Sequence, residues 1–99
     1  MQMPRYRAER ISYEKQEELL KTFCSVLSRL KTEDVIEDFL KDLLNRQERM
    51  MLVRRLLIAD FLEEGLTYRE IIKRLRCGTP TIARVERWLQ FGREGYRRA

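Results

Sequence analysis

Thr79, Thr81, Ala83, Arg84 and Arg87 are the side chains of this sequence whose types and spacing form one chemical surface. They fall in the stretch Leu66 to Trp88, whose periodicity predicts two short helices joined by a tight turn at Cys77-Gly78-Thr79. With Ile82, Val85 and Leu89 turned inward, those five residues make the outward face of the second helix. The chemistry they offer is hydrogen bonding and close approach, not bond breaking. Threonine can bond a base edge or touch a thymine methyl, arginine can pair bidentately with guanine, and alanine lets the backbone come near. A second helix with such a face is what a helix-turn-helix places in the DNA major groove.

The first helix has to hold that face in place. Thr67 is an N-cap with Glu70 three residues on, a full capping box. Tyr68, Ile71, Ile72 and Leu75 follow at i, i+3, i+4 and i+7, which gives the helix one buried face. Arg69 is placed to reach a base edge or phosphate, and Lys73, Arg74 and Arg87 suit phosphate contacts. Gly78 is expected to supply a positive φ at the turn. Thr79 then caps the second helix and Pro80 takes its first position, where a missing N–H costs nothing. Trp88 lies beside the inner stripe and is expected to join the core. The predicted DNA contacts are Thr67, Arg69, Lys73, Thr79, Pro80, Thr81, Ala83, Arg84 and Arg87.

Upstream, three further helices are predicted. Ser12 caps one over residues 13–30, with Leu19, Leu20, Phe23, Val26, Leu27 and Leu30 as its stripe and Cys24 packed beside it. Thr32 caps the next, with Glu33 and Asp34 facing the positive end of its dipole. Asn45 and Glu48 open the third with another capping box, and Gly65 ends it. From Met50 to Leu62 only Arg54, Arg55 and Asp60 are not apolar. A helix hydrophobic nearly all round must be enclosed on all sides, and a chain of this size has little to enclose it with. A partner subunit is therefore expected, in an intertwined homodimer. No strand alternation is sustained, so the fold class is all-α.

Charge and composition narrow the function. Residues 67–99 carry nine basic side chains against three acidic, a net +6, while residues 1–66 carry a net −1. Positive charge therefore gathers on the helix-turn-helix, as phosphate binding requires. Hydrophobic residues are 43% and charged residues 37%, the balance of a soluble globular chain. Ninety-nine residues predict a single domain: a flexible basic arm over 1–11, core helices over 13–64, the helix-turn-helix over 67–90 and a short basic tail over 91–99. Two cysteines are too few for a disulfide scaffold. Without a signal peptide or a long apolar run, a cytoplasmic protein with no membrane partner is expected. An enzyme is not expected: histidine is absent, and there is no glycine-rich phosphate loop or metal-spaced cysteine cluster. No cofactor or metal is called for.

The segment Tyr68-Arg69-Glu70, followed by Gly78-Thr79-Pro80-Thr81-Ile82-Ala83-Arg84, resembles the tryptophan repressor superfamily and is most similar to its TrpR-like YerC/YecD family. The resemblance runs over about Leu43 to Leu89, and the order of helices before it agrees. It implies an intertwined helical dimer that binds operator DNA, with Arg69, Thr79, Pro80, Thr81 and Ala83 where family members touch DNA. It also implies an effector pocket. Arg55 and Arg84 fall near the two arginines that sandwich the indole in the tryptophan-responsive member, and Leu44 and Asn45 align with the pocket edge. Val85 and Trp88 depart from that pattern, standing where that protein has a glycine and a serine. Val85 would take the space of a flat indole, and Trp88 is placed to plug the crevice itself, which argues against tryptophan as effector.

The expected function is a homodimeric, sequence-specific DNA-binding transcriptional regulator, a repressor, acting on a double-stranded operator. The alternative is a helix-turn-helix protein-interaction module that binds the transcription machinery.

Overall fold

The computed structural model describes residues 10–99, and every regular element among them is a helix. In order these are α1 (Tyr13–Ser28), α2 (Glu33–Leu43), α3 (Arg46–Glu63), α4 (Tyr68–Leu75), α5 (Thr79–Phe91) and α6 (Gly95–Arg98). The arm expected over residues 1–11 falls outside the described residues except for its last two positions. None of the described helices is long and apolar enough to cross a membrane. No group of three or more His, Cys, Asp or Glu among the described residues could hold a metal ion.

Capping chemistry starts α1 to α4 where the sequence places them. Ser12 Oγ accepts from the Lys15 N–H at 3.2 Å, and Thr32 Oγ1 accepts from the Val35 N–H at 3.3 Å. At α3 the Asn45 and Glu48 side chains each accept from the other's backbone N–H at 2.9 Å. These bonds satisfy donors that a helix start otherwise leaves free. α1 stops at Ser28, short of the expected Leu30. The Arg29 and Leu30 N–H groups turn to the carbonyls three residues back, at 3.1 Å, and tighten the end.

Contacts gather the chain into two compact units, one up to Leu40 and one over Lys41–Ala99. In the first, the Phe23 and Phe39 rings meet with centroids 6.4 Å apart. Leu19 and Leu20 are exposed, and so is Cys24, which was expected to pack beside them. In the second, α3, α4 and α5 share one core of Ile58, Ala59, Ile71, Cys77, Ile82, Val85 and Leu89. On α3 only Ile58 and Ala59 are buried. Met50, Met51, Leu52, Val53, Leu56 and Leu57 remain 37–50% exposed, an apolar surface of the kind that marks a contact site.

α3 ends as its sequence indicates. Gly65 takes φ +88° and donates to Leu62, while the Leu66 N–H reaches the Phe61 carbonyl at 3.0 Å. At the far end of the chain α5 continues to Phe91, and a single further helical turn, α6, follows within the basic tail. Tyr96 packs against the core, which supplies the anchor that a run of arginines and glycines lacks.

The left-handed backbone at Gly65 gives a direct test. Gly65→Ala should cost about 1 kcal/mol, because a Cβ is disfavoured at positive φ. No neighbouring atom lies within 4 Å of an added Cβ, so the loss would be conformational. Denaturant unfolding at one protein concentration should show a lowered midpoint; an unchanged midpoint would refute the assignment.

Candidate nucleic-acid interface

α4 and α5 form two helices joined by Arg76, Cys77 and Gly78. At the start of α4, Thr67 Oγ1 accepts from the Glu70 N–H at 3.2 Å. Glu70 Oε1 in turn accepts from the Thr67 N–H at 3.2 Å and from its hydroxyl at 2.9 Å. Donation by the Thr67 backbone, then by its hydroxyl, holds the Glu70 carboxyl below its ordinary range. The hydroxyl proton of Thr67, a predicted DNA contact, is therefore already used inside the cap.

The turn is built one residue earlier than expected. Positive φ falls on Arg76, at 52°, while Gly78 has φ −89° and ψ 158°. Cys77 is buried, so the chain must reverse direction before it, and Arg76 takes the left-handed conformation that turns the cysteine inward. Gly78 is then the N-cap of α5. It has no side chain to cap with, and its carbonyl accepts from Thr81 at 3.2 Å and Ile82 at 3.4 Å. Thr79 is the first helical residue rather than the cap, and Pro80 follows it within the first turn.

Two contacts missed in the sequence fix how α4 meets its neighbours. Tyr68 Oη donates to Glu86 Oε1 at 2.7 Å, tying the first turn of α4 to α5. That bond to a carboxylate, aided by burial, pushes the Tyr68 phenol above its ordinary value. Glu86 thus answers Tyr68 rather than the DNA-facing side. Tyr68 stood among apolar positions and Glu86 among charges, and only the folded helices bring them together. Arg74, expected on phosphate, has its guanidinium 5.5 Å from the centroid of the Phe61 ring, a cation–π contact to α3.

Of the predicted DNA contacts, Arg69, Lys73, Thr79, Pro80, Ala83, Arg84 and Arg87 are exposed, as is Thr67, and Thr81 is half-buried. Ile82, Val85 and Leu89 face the core, so α5 is divided as its spacing predicts. Arg55 of α3 joins Pro80, Ala83, Arg84, Arg87, Trp88 and Tyr96 around a crevice of about 740 Å³. Among the described residues no acidic side chain lines it.

Only part of the expected effector pocket is assembled there. Arg55, Arg84 and Trp88 line the crevice, but Leu44, Asn45 and Val85 do not. Val85 is 1% exposed and points into the core, so it takes no space from a crevice occupant. Leu44 and Asn45 lie at the start of α3, where the Leu44 carbonyl accepts from Arg49 Nη1 at 2.7 Å. Trp88 was expected in the core or as a plug. It is 50% exposed and forms a wall, leaving the crevice unfilled.

The profile of the Trp repressor protein family matches residues 18–99. The chain belongs to this family. It is 39% identical over 82 residues to the uncharacterized protein YerC of Bacillus subtilis strain 168, a span of 83% of this chain and 78% of that one. Its fold superimposes on the crystal structure of a TrpR-like protein from Eubacterium eligens with a TM-score of 0.72. That pair is 35% identical, with 83% of this chain and 84% of that one covered. A candidate Trp repressor from Staphylococcus aureus gives a TM-score of 0.70 at 30% identity, with 95% and 90% covered. Members of this family are regulators rather than enzymes. The family match extends across both compact units of the chain.

The Tyr68–Glu86 bond is testable. Tyr68→Phe should cost about 1 kcal/mol of stability, the usual net worth of such a bond. The folded protein holds the phenol proton to a higher pH than the unfolded chain does. The bond's stabilisation is therefore complete below the ordinary phenol value, near 10, and is lost as pH rises through the raised value. The stability gap between parent and variant should be constant at neutral pH and close in alkali. A gap that widened with rising pH would contradict the bond.

Proposed function

We propose that this protein is a sequence-specific transcriptional regulator, a repressor, which binds double-stranded operator DNA as a homodimer and works in the cytoplasm. The observation that carries this is the exposed face of α5, with Thr79, Pro80, Ala83, Arg84 and Arg87 outward over a fully apolar inner side. Thr81 and Ala83 would read base edges, with Arg69 beside them. Lys73 and Arg87 would hold phosphates, and Arg84 would serve either. The N-terminus of α5 adds the partial positive charge of a helix start at the same place. Family membership supports the same function.

The exposed apolar positions of α3, from Met50 to Leu57, support the homodimer. A second copy offers the same surface, and a self-complementary contact between two copies is the commonest closed assembly. We take residues 1–99 as one Trp repressor-like domain, supported by the family match over residues 18–99. Tryptophan is not the effector in this proposal. The argument rests on Trp88, whose large ring lines the crevice where a serine's hydroxyl would be needed.

Selection of bound duplexes from a random pool, with and without tryptophan, tests these points together. A two-fold symmetric site, the same in both pools, is expected. A site recovered only with added tryptophan would refute the effector argument. Capture of a polymerase component, with no salt-dependent duplex binding, would favour a protein-interaction module instead.

The division of contacts gives a second test. Arg69→Ala and Thr81→Ala should each relax sequence preference, at about 1–3 kcal/mol per lost base contact. Lys73→Ala should weaken all duplexes alike and lower the slope of log affinity against log salt by about one. A changed consensus with intact slope for Lys73→Ala would reverse these roles.

A further inference from the structure

DNA contact by α5 makes no use of the segment that follows it, yet that segment is held at several points. Gly92 closes the end of α5, its N–H donating to the Trp88 carbonyl at 2.9 Å. A Cβ at Gly92 would collide with that same carbonyl, so only glycine permits the turn. Glu94 then takes φ 63° and accepts from the Arg98 N–H at 3.1 Å. This reversal sends Tyr96 onto the core. Tyr96 and Arg97 border a hollow with Ala59, Asp60 and Glu63 of α3 and Leu89 of α5. Arg97 Nε lies 3.3 Å from Glu63 Oε1. Tyr96 also lines the large crevice with Arg55, Arg84 and Trp88.

We propose that residues 92–99 are a strap that ties α5 to α3 and holds the reading helix in its DNA-binding setting from within the chain. The inference rests on the DNA-binding function above and adds a means of setting it. α5 is held at its N-terminus by the turn from α4 and along its inner face by the core. A tether at its C-terminus restricts what motion remains, so less order must be imposed when DNA binds. The ion pair joins side chains that are each about half exposed, so it orients the strap more than it anchors it. Tyr96 is the anchor. Tyr96 and Arg97 are positioning residues: they act on DNA binding through their packing against α3 and the core.

Trp88 is the single tryptophan and sits beside Tyr96, so its emission reports on the strap. In the full chain, Tyr96→Ala should shift Trp88 emission and weaken binding to all duplexes alike, by roughly ten-fold, with an unchanged salt slope. Tyr96→Phe, which keeps the ring, should match the parent. Glu63→Arg breaks the ion pair while adding positive charge. The strap predicts about two- to five-fold weaker binding for it, whereas a tail acting only by attraction to phosphate predicts tighter binding. Exchange of the pair, E63R with R97E, should restore both emission and affinity. Equal or tighter binding by Glu63→Arg with parental Trp88 emission would overturn the proposal, and so would a Tyr96→Ala variant indistinguishable from the parent. If Tyr96→Ala fails to fold, the Glu63 and Arg97 variants decide. If the parent binds no duplex, the DNA-binding function fails, while Trp88 emission and amide exchange over 84–89 still show whether the strap orders α5.

Discussion

Four branched aliphatic side chains, Ile58, Ile71, Ile82 and Val85, are essentially inaccessible to solvent, and they come from three different helices. One lies on α3, one on α4 and two on α5. All are stiff at χ1, so each fixes the rotation of its helix as well as burying area. The turn of Arg76 to Gly78 only has to connect two helices whose inner faces this core has already set. Because the core is so small, each helix depends on both others for enclosure. The polar contacts act around it: Tyr68 to Glu86 between α4 and α5, and Arg74 on Phe61 between α4 and α3.

That core assigns separate tasks to the faces of α5. Its inner side is spent on packing, and its outer side carries short and basic residues to solvent. Between them runs the crevice of Arg55, Arg84, Trp88 and Tyr96. Val85 illustrates how a single helical step separates these tasks. Its neighbour Arg84 lines the crevice, while Val85 itself, about 100° further round, is sealed in the core. Among the described residues its lining is guanidinium groups and aromatic walls without an acid.

The other constraint is what remains uncovered. α3 is apolar over most of its circumference, yet it contributes only two residues to the core of its own chain. Six exposed apolar side chains in sequence from Met50 to Leu57, broken only by Arg54 and Arg55, are costly in water. Covering these side chains would relieve that cost.

Much of this was legible in the residues because local rules govern it. Caps at Ser12, Thr32, Asn45 and Thr67, the left-handed glycine at 65 and the inward stripe Ile82-Val85-Leu89 depend on backbone donors and helical period alone. The family could be read from the motif for the same reason. The turn begins one residue earlier than expected, and its positive φ lies two residues earlier, on Arg76 instead of Gly78, because Cys77 is buried, a tertiary demand. The packing of Tyr96 was not legible in the tail, because its partners come from α3 and α5 rather than from its own short turn. The sequence by itself determined the first five helices, the caps of α1 to α4 and which face of α5 is polar, since these follow from neighbours within four residues. Only the tertiary structure decided that Glu86 answers Tyr68, that Val85 leaves the crevice open and that the chain's end folds back, because each depends on where another helix lies.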